Sequence, residues 1–178
     1  SPSADPSEAV QKTNDYMTAY GDTDCIYATG EDYITPAADV IKSRGITDCK
    51  IYGSNISPSV CQLIMDGQVE ACTGGEFVCG SLAVTLLINY LDGNPIKDAD
   101  GTAPYFDNLT QFMVTAENAE DFYEFLSDEN LATHTISDEE YQNLLVRNNP
   151  DVDYDYFYDF LTNYEENVYA KVEANAAQ

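Results

Sequence analysis

Apolar positions between residues 24 and 93 follow two different spacings in turn. Short apolar runs of strand length occur at 24–28, 51–52 and 69–73. Between and after these runs, apolar residues recur every three or four positions, which is the spacing of a helix face. Each helical stretch ends at a glycine that tolerates left-handed backbone; these are Gly45, Gly67 and Gly93. The alternation predicts three consecutive βα units, and therefore an α/β fold with a parallel sheet of βα units and helices on both faces.

A further helix is predicted before the first strand. Asp5 has the side chain of an N-cap, Pro6 suits the first helical position, and Glu8 completes a reciprocal capping pattern. The apolar stripe predicted for this helix consists of Val10, Tyr16, Met17 and Tyr20. Each of the three later helices has a predicted core face. These faces are Ile34, Ala37, Ala38 and Ile41 in the first helix, Val60, Leu63 and Ile64 in the second, and Leu82, Leu86, Leu87 and Tyr90 in the third.

The chain beyond residue 93 becomes acidic and rich in tyrosine. The elements predicted there are a loop over 94–110, a strand over 111–115, a helix over 117–127 and a final helix over 153–174. Ser137 and Glu140 have the spacing of a capping box and predict a helix start between the last two helices. Six of the 14 tyrosines lie between residues 141 and 169, and their helical spacing indicates packing rather than a binding face.

The charge of the chain limits the partners it can have. Its 178 residues include 7 basic and 32 acidic side chains, which gives a net charge of −25. So few Lys and Arg residues cannot form the basic patch that nucleic acid or an anionic lipid surface requires. With 44% apolar residues, the chain can still bury the core of one domain or slightly more. No apolar run reaches the roughly 20 residues of a membrane span, and no signal peptide is recognisable.

Residues for enzymatic or metal chemistry are poorly represented. The five cysteines lack the CxxC spacing of a zinc site, and most are expected to be small buried residues. One disulfide is the open alternative if the protein is exported. The only histidine, His134, stands in a polar stretch far from the cysteines along the chain, and no Walker or GxGxxG motif occurs. We therefore predict no enzyme, no metal site and no cofactor.

The stretch 50–93 contains a recognisable combination of turns and helix starts. A strand ends in Gly-x-Asn-x-x-Pro, a helix closes with Asp-Gly, and the next strand leads into a helix with Gly-x-x-Ala-Val and a Leu-x-Gly-x-Pro ending. The residues that form this pattern are Gly53, Asn55, Pro58, Asp66, Gly67, Gly80, Ala83, Val84, Leu91, Gly93 and Pro95. In this pattern the chain resembles type I periplasmic solute-binding proteins, the sugar-binding components of ABC importers, which share their fold with LacI-type effector domains. The resemblance covers roughly residues 5–115.

The resemblance implies a ligand site outside the carboxyl ends of the strands, where open α/β sheets bind their ligands. A sugar needs carboxylates and amides for its paired hydroxyls and an aromatic face for the C–H side of the ring. The side chains and backbone expected to contact the ligand are Glu31, Asp32, Tyr33, Asn55, Gly75, Glu76 and Phe77. A purely structural explanation stays open for Glu31 and Glu76, because the first turn of a helix favours acidic residues.

The three turns also depart from the pattern of the family. The first turn usually carries Asn-Asp, where this chain has Gly30-Glu31, and the second usually carries Asp, where this chain has Asn55. The third usually carries Gln or Asn, where this chain has Gly74-Gly75. These substitutions leave open a different sugar or a solute that is not a sugar.

The resemblance also implies an arrangement of the chain and its partners. Residues 1–101 would form an α/β lobe that is incomplete relative to the family, 102–115 a hinge crossover, and 116–178 a helical, tyrosine-rich acidic tail. Two lobes would close on a small solute and present the closed form to an ABC permease. The implied partners are the solute, the permease and an N-terminal lobe. The implied location is extracellular or periplasmic, with a lipoprotein anchor on a preceding segment.

Two alternatives stay open at this point. The first is the ligand-sensing effector domain of a LacI-type transcription regulator, which has the same fold. A net charge of −25 disfavours this alternative, since such a domain works next to DNA. The second is a protein-interaction module, in which the acidic, tyrosine-rich tail binds a partner and the α/β region binds no solute.

Overall fold

Four strands form one sheet in the computed structural model, which describes residues 5–107, 109–127 and 135–177. The strands are β1 (Cys25–Ala28), β2 (Lys50–Ser54), β3 (Ala71–Gly74) and β4 (Phe112–Thr115), and they lie in that order across the sheet. β1 pairs with β2, and β2 with β3, in the parallel sense. The predicted α/β class with a parallel sheet is confirmed.

The helices begin where the sequence provides capping residues. They are α1 (Pro6–Ala19), α2 (Glu31–Ser43), α3 (Pro58–Met65), α4 (Cys79–Leu91), α5 (Ala119–Ser127), α6 (Asp138–Asn143), α7 (Tyr154–Thr162) and α8 (Tyr164–Ala176), with a 3₁₀ turn Glu76–Val78 before α4. The Asp5 carboxylate accepts a hydrogen bond from Ser7 N at 2.9 Å, as expected of an N-cap. The predicted capping box of α6 is confirmed, because Ser137 and Glu140 exchange side chain–backbone hydrogen bonds of 3.2 and 2.6 Å.

The described chain forms two compact units. The first comprises the described residues of Ser1–Gly74 and Met113–Ser127, and the second those of Gly75–Phe112 and Asp128–Gln178. The first unit therefore holds α1 to α3, α5 and the sheet, apart from Phe112 at the start of β4. The second unit holds the 3₁₀ turn, α4 and α6 to α8. The division at 101 and 115 that the resemblance implies stays a prediction.

The core of the first unit lies between one face of the sheet and its helices. The predicted α2 face of Ile34, Ala37, Ala38 and Ile41 is fully buried. Gly53 of β2 passes directly beneath Ile34, since a Cβ at this position would lie 2.4 Å from Ile34 Cδ1. α1 packs against α2, and α3 packs against α5. The predicted α1 stripe is wrong except for Met17: α1 buries Ala9 and Thr13 instead, because small side chains allow its close approach to α2.

The other face of the sheet is open at three strands. Tyr27 of β1, Tyr52 of β2 and Met113 of β4 are 63%, 38% and 47% exposed. Their neighbours Ile51 and Val114, which point to the opposite face, are almost fully buried. At these positions the side chains of this face are open to solvent.

The second unit buries polar groups together with apolar ones. Asn89 of α4 is fully buried and bonds with both ends of its amide: Nδ2 donates to Leu144 O, and Oδ1 accepts from Val146 N, each at 2.9 Å. The predicted α4 stripe is therefore wrong except for Leu82, because α4 turns Thr85 and Asn89 inward while Leu87 and Tyr90 are exposed.

The final helix predicted over 153–174 is two helices. α7 ends at Thr162 and α8 begins at Tyr164. The residue between them, Asn163, leaves helical geometry with φ −92° and ψ 4°, and its side-chain Nδ2 donates to Asp159 O at 2.9 Å. The predicted packing role of the tyrosines holds for Tyr154, whose ring stacks on Phe106 at 4.8 Å, and for the fully buried Tyr164.

Candidate functional site

The carboxyl ends of β1 and β2 lie side by side in the first unit. Their parallel register pairs Ala28 with Gly53, so the turns that begin at Thr29 and Ser54 leave the sheet at the same edge. Carboxyl ends of parallel strands are where ligands bind in sheets of this class. The structure therefore brings four of the seven predicted contact residues, Glu31, Asp32, Tyr33 and Asn55, to two adjacent turns.

The first of these turns places two acids at the start of α2. Gly30 O accepts hydrogen bonds from Tyr33 N and Ile34 N, both at 2.9 Å, so the helix begins directly after β1. Glu31 and Asp32 occupy the first turn of α2, where the helix dipole favours negative charge. Asp32 is exposed and Glu31 is half-buried. The structural role predicted for Glu31 and the ligand role predicted for both acids are compatible with this position.

Asn55, in the second turn, has an unusual backbone conformation. Its φ is 77°, and no other non-glycine residue in the described ranges has a positive φ. Asn adopts this region of backbone conformation more readily than most residues do. The conformation is held because Asn55 N donates to Thr73 O at 2.9 Å, which extends the pairing of β2 with β3. The side chain is exposed. A rare backbone conformation fixed by the sheet thus presents an amide at the strand ends.

Tyr33 borders a cavity rather than lying free on the surface. The cavity has a volume of about 250 Å³ and lies between α1, β1 and α2. Its wall includes Tyr16, Ile26, Ala28 and Ala37 in addition to Tyr33. The tyrosine ring is half-buried against this space. The structure therefore gives Tyr33 a packing environment that the sequence did not indicate.

The third predicted turn belongs to the second unit, where Gly75 meets a tyrosine of α8. Gly75 has φ 120°, and a Cβ there would lie 2.9 Å from Tyr164 Cε1. Only glycine fits both the conformation and the contact. Tyr164 is fully buried, and burial raises the pKa of its hydroxyl well above the usual value. Gly75 is thus explained by packing, and its predicted ligand contact stays a prediction.

Glu76 and Phe77 follow Gly75 and have opposite environments. Phe77 is 44% exposed, as a contact residue would be. Both carboxylate oxygens of Glu76 are buried and make no hydrogen bond within the described residues. A buried carboxylate without a partner is costly and rare. A direct contact between Glu76 and a solute would therefore require its side chain to leave this buried position.

The cysteines show no arrangement for catalysis. Within the described residues none of the five cysteines forms a disulfide; Cys49, Cys61 and Cys72 are buried as predicted, whereas Cys25 and Cys79 are exposed. Burial raises the pKa of the Cys61 thiol to about 12, which removes its nucleophilic form at neutral pH. Within the described residues, no group of three or more His, Cys, Asp or Glu side chains could hold a metal ion. His134 lies outside the described residues.

None of the helices in the described ranges has the length and apolarity needed to cross a membrane.

Sequence reasoning missed two residues that organise the second unit, Tyr164 and Asn89. Tyr164 is one of several tyrosines in the acidic tail, and its complete burial against Gly75 distinguishes it from the exposed Tyr156 and Tyr158. Asn89 lies in a run of apolar residues. A polar residue inside an apolar helix is the one sequence signal that could have indicated a buried, hydrogen-bonded side chain here.

Comparison with known proteins places the chain in a family. A family model described as "Periplasmic binding protein domain" matches residues 1–95 of the 178. A search of curated proteins gives no match.

Among solved structures, similarity extends to several sugar-binding proteins. A periplasmic sugar-binding protein from Pseudomonas fluorescens has 17% identity and a TM-score of 0.61, over 86% of this chain and 45% of that one. The arabinose-binding component of an ABC transporter from Shewanella has 20% identity and a TM-score of 0.57, over 72% and 42%. A galactofuranose binding protein has 16% identity and a TM-score of 0.57, over 71% and 42%. At this identity the likeness shows a shared fold, and the chain spans less than half the length of these proteins.

The fold, the position of the turns at the strand ends and the family match agree with one another. Proteins of this family and the similar solved structures are binding proteins rather than enzymes. Since the family model matches more than half of its residues, the chain belongs to the periplasmic binding protein domain family.

Proposed function

We propose that the protein binds a small solute of the sugar class as a component of an ABC import system. The observation that carries this proposal is the pair of adjacent turns after β1 and β2 in a chain of the periplasmic binding protein domain family. These turns offer an amide at Asn55, carboxylates at Glu31 and Asp32, and an aromatic ring at Tyr33. Such groups can hydrogen-bond adjacent sugar hydroxyls and cover the apolar side of a ring.

Asn55 is the residue best suited to contact the solute. Its side chain is exposed, and its backbone is fixed by the bond from its N–H to Thr73 O. A group held in place before binding loses little conformational entropy when the ligand arrives. Gly75, Glu76 and Phe77 would contribute from the third turn, with Phe77 already exposed and Glu76 requiring movement.

The proposal extends to partners and location. The solute would be held between this α/β region and an N-terminal lobe, and closure of the two lobes would present the loaded form to an ABC permease. Residues 102–115 would serve as the crossover between the lobes. The protein would work in the periplasm or outside the cell, anchored as a lipoprotein. The family match and the similar solved structures support the binding role and the periplasmic location.

Calorimetric titration of the full protein, with its N-terminal lobe, against a panel of aldopentoses and aldohexoses would test the proposal. We expect at least one sugar to bind, and Asn55→Gly to weaken that binding by about 1–3 kcal/mol, because the amide hydrogen bond is lost. Glycine is the suitable substitution, since it keeps the positive φ of this position. Ser59→Ala, an exposed change on α3, is the matched control and should leave affinity unchanged.

Two results would contradict the proposal in different ways. Equal affinity of the Asn55→Gly and Ser59→Ala variants would remove Asn55 from the site while leaving solute binding in place. Absence of binding across the panel would favour the interaction-module alternative, which cross-linking of the 135–177 region to a partner in cell extracts would then support. If the intact protein bound operator DNA, the LacI-type alternative would be favoured.

A further inference from the structure

Four buried oxygen atoms of the second unit make no hydrogen bond within the described residues. They are the two carboxylate oxygens of Glu76, Oγ1 of Thr135 and the hydroxyl oxygen of Tyr164. Thr135 and Tyr164 are 1% and 0% exposed as whole residues. Most buried polar atoms in folded proteins have a hydrogen-bond partner, so several orphaned oxygens in one unit indicate a missing ligand.

The three side chains lie close together. A Cβ at Gly75 would lie 2.9 Å from Tyr164 Cε1, so Glu76, the next residue, starts the 3₁₀ turn beside the tyrosine ring. Burial raises the pKa of the Tyr164 hydroxyl, while the nearby Thr135 hydroxyl lowers it and the charge of Glu76 raises it further. Thr135 is held in place because Lys171 Nζ donates to its carbonyl oxygen at 3.0 Å. We name these four oxygens the Glu76 cluster.

Neighbouring hydroxyls show that the lack of partners is confined to this cluster. Tyr141 also influences Tyr164, and its own hydroxyl lies 2.6 Å from Ser81 Oγ, which is an ordinary hydrogen bond. The Ser81 hydroxyl in turn lies 2.9 Å from Val78 O. These two hydroxyls are therefore paired with each other and with the backbone, and neither of them serves the Glu76 carboxylate.

The bases of the second unit do not neutralise Glu76 within the described residues. Lys171 Nζ lies 2.5 Å from Glu140 Oε2, and Arg147 Nη1 lies 3.4 Å from a carboxylate oxygen of the aspartate that follows α4. Lys97 is exposed. A buried carboxylate is costly unless a base or a metal ion compensates its charge. The environment of Glu76 therefore lacks a positive charge as well as hydrogen-bond donors.

The atoms of the Glu76 cluster are suited to an alkali metal ion. All of them are oxygens, which are the ligands of hard cations. The single carboxylate supplies one negative charge, so a monovalent ion leaves the site neutral, whereas a divalent ion would leave excess positive charge in the interior. A water molecule could bond to the same oxygens but would leave the buried charge uncompensated.

We propose that the Glu76 cluster binds a monovalent alkali metal ion of the size of sodium. The Glu76 carboxylate balances the charge of the ion, and the hydroxyl oxygens of Thr135 and Tyr164 contact it through their lone pairs. The ion thereby joins the 3₁₀ turn to the start of α8 and to the chain before α6. This site belongs to the second unit and is separate from the solute site proposed at the ends of β1 and β2. The bound ion opposes the movement of Glu76 that a solute contact would require.

Thermal unfolding of the full protein in sodium chloride tests the proposal. Salt also screens the repulsion within a chain of net charge −25, so each measurement is paired with tetramethylammonium chloride of equal ionic strength. The tetramethylammonium ion is too large for a buried site of this kind. Sodium at ten times its dissociation constant should lower the unfolding equilibrium constant about elevenfold relative to tetramethylammonium, because it binds the folded state alone.

Substitutions in the second unit locate the ion. Glu76→Gln keeps the shape of the side chain but removes its charge, and should abolish the difference between the two salts. Tyr164→Phe removes one hydroxyl and should weaken sodium binding about tenfold. Glu139→Gln is the matched control, because Glu139 is an exposed carboxylate of the same unit, and it should respond as the wild type does. Glu76→Gln alone carries the test if Tyr164→Phe does not fold.

Three outcomes would overturn the proposal. Equal stabilisation by sodium and tetramethylammonium chloride would show that the cluster holds water rather than an ion. A sodium-specific stabilisation that persists in Glu76→Gln would place the ion elsewhere in the protein. Displacement of sodium by a much lower concentration of calcium, followed by sodium NMR relaxation, would show that the site is built for a divalent ion.

Discussion

The two compact units hold their elements together in different ways. In the first, the contacts that cover the sheet are apolar: Ile34, Ile51 and Val60 are almost fully buried. In the second, a buried amide joins α4 to the chain after α6, and a buried tyrosine covers Gly75. Apolar packing tolerates substitutions of similar volume, whereas a buried hydrogen bond depends on both of its partners. The first unit is therefore specified by a pattern and the second by individual residues.

The largest expected effect is in the second unit, at Asn89. Asn89→Leu keeps the approximate volume but leaves Leu144 O and Val146 N buried without partners. We expect a loss of about 2–5 kcal/mol in the free energy of unfolding, since each orphaned group costs about 1–3 kcal/mol. Urea unfolding, monitored by circular dichroism, measures this loss of unfolding free energy. Thr85→Val, on the same buried face of α4, should cost less than about 1 kcal/mol because its hydroxyl bonds only within the helix. Similar losses of unfolding free energy for Asn89→Leu and Thr85→Val would contradict the view that the second unit depends on the hydrogen bonds of Asn89.

The next effect is in the first unit, at Gly53. Gly53→Ala places a Cβ against Ile34 and should destabilise the protein by about 1–3 kcal/mol through overpacking. Gly80→Ala is the matched control, because a Cβ there meets no atom within 4 Å. Since Gly80 lies in a helix, its replacement should stabilise by up to about 1 kcal/mol. If thermal melting showed Gly53→Ala to be neutral, the sheet of the first unit would not lie tightly on α2.

A smaller effect concerns the response of the second unit to acid. Burial tends to raise the pKa of Glu140, but hydrogen bonds from Lys171 and Ser137 outweigh it and hold this pKa below its usual value of 4.5. A carboxyl group with a lowered folded-state pKa stabilises the protein above its unfolded-state pKa, and the contribution disappears as pH falls through the folded value. Wild type should thus exceed Glu140→Gln in unfolding midpoint at neutral pH, and the two should converge below about pH 4. A constant difference down to pH 2 would contradict this assignment.

The smallest effect expected is at Asn55. In Asn55→Ala, alanine must adopt the positive φ of this position, and unlike Asn it has no side-chain group that can hydrogen-bond to the local backbone. The substitution should therefore lower the free energy of unfolding by about 1 kcal/mol. Asn55→Gly keeps the conformation and should change stability by only a few tenths of a kcal/mol. Chemical unfolding of both variants separates the backbone role of this residue from its proposed ligand role. If both variants lost equal stability, the side chain itself would be holding the turn.

Much of the first unit could be predicted from the sequence because its helices and strands follow a regular apolar period. The α2 core face and the ends of β1 and β2 agree with that period, and with them the position of the first two turns. The second unit could not be predicted in the same way. The inward turn of Asn89 and the contact of Tyr164 with Gly75 depend on residues far apart in sequence, and no local pattern encodes such pairs.

The exposed side of α4 has a consequence for the behaviour of the protein in solution. The helix contains no charged residue over Cys79–Leu91, and Val84, Leu87 and Leu91 are 53%, 53% and 72% exposed. On a chain of net charge −25, repulsion between molecules keeps these apolar faces apart. Salt shortens the reach of that repulsion from about 10 Å at 0.1 M to about 3 Å at 1 M. The colloidal stability of the protein should therefore fall as ionic strength rises, so dilute buffers rather than concentrated salt favour a monodisperse preparation.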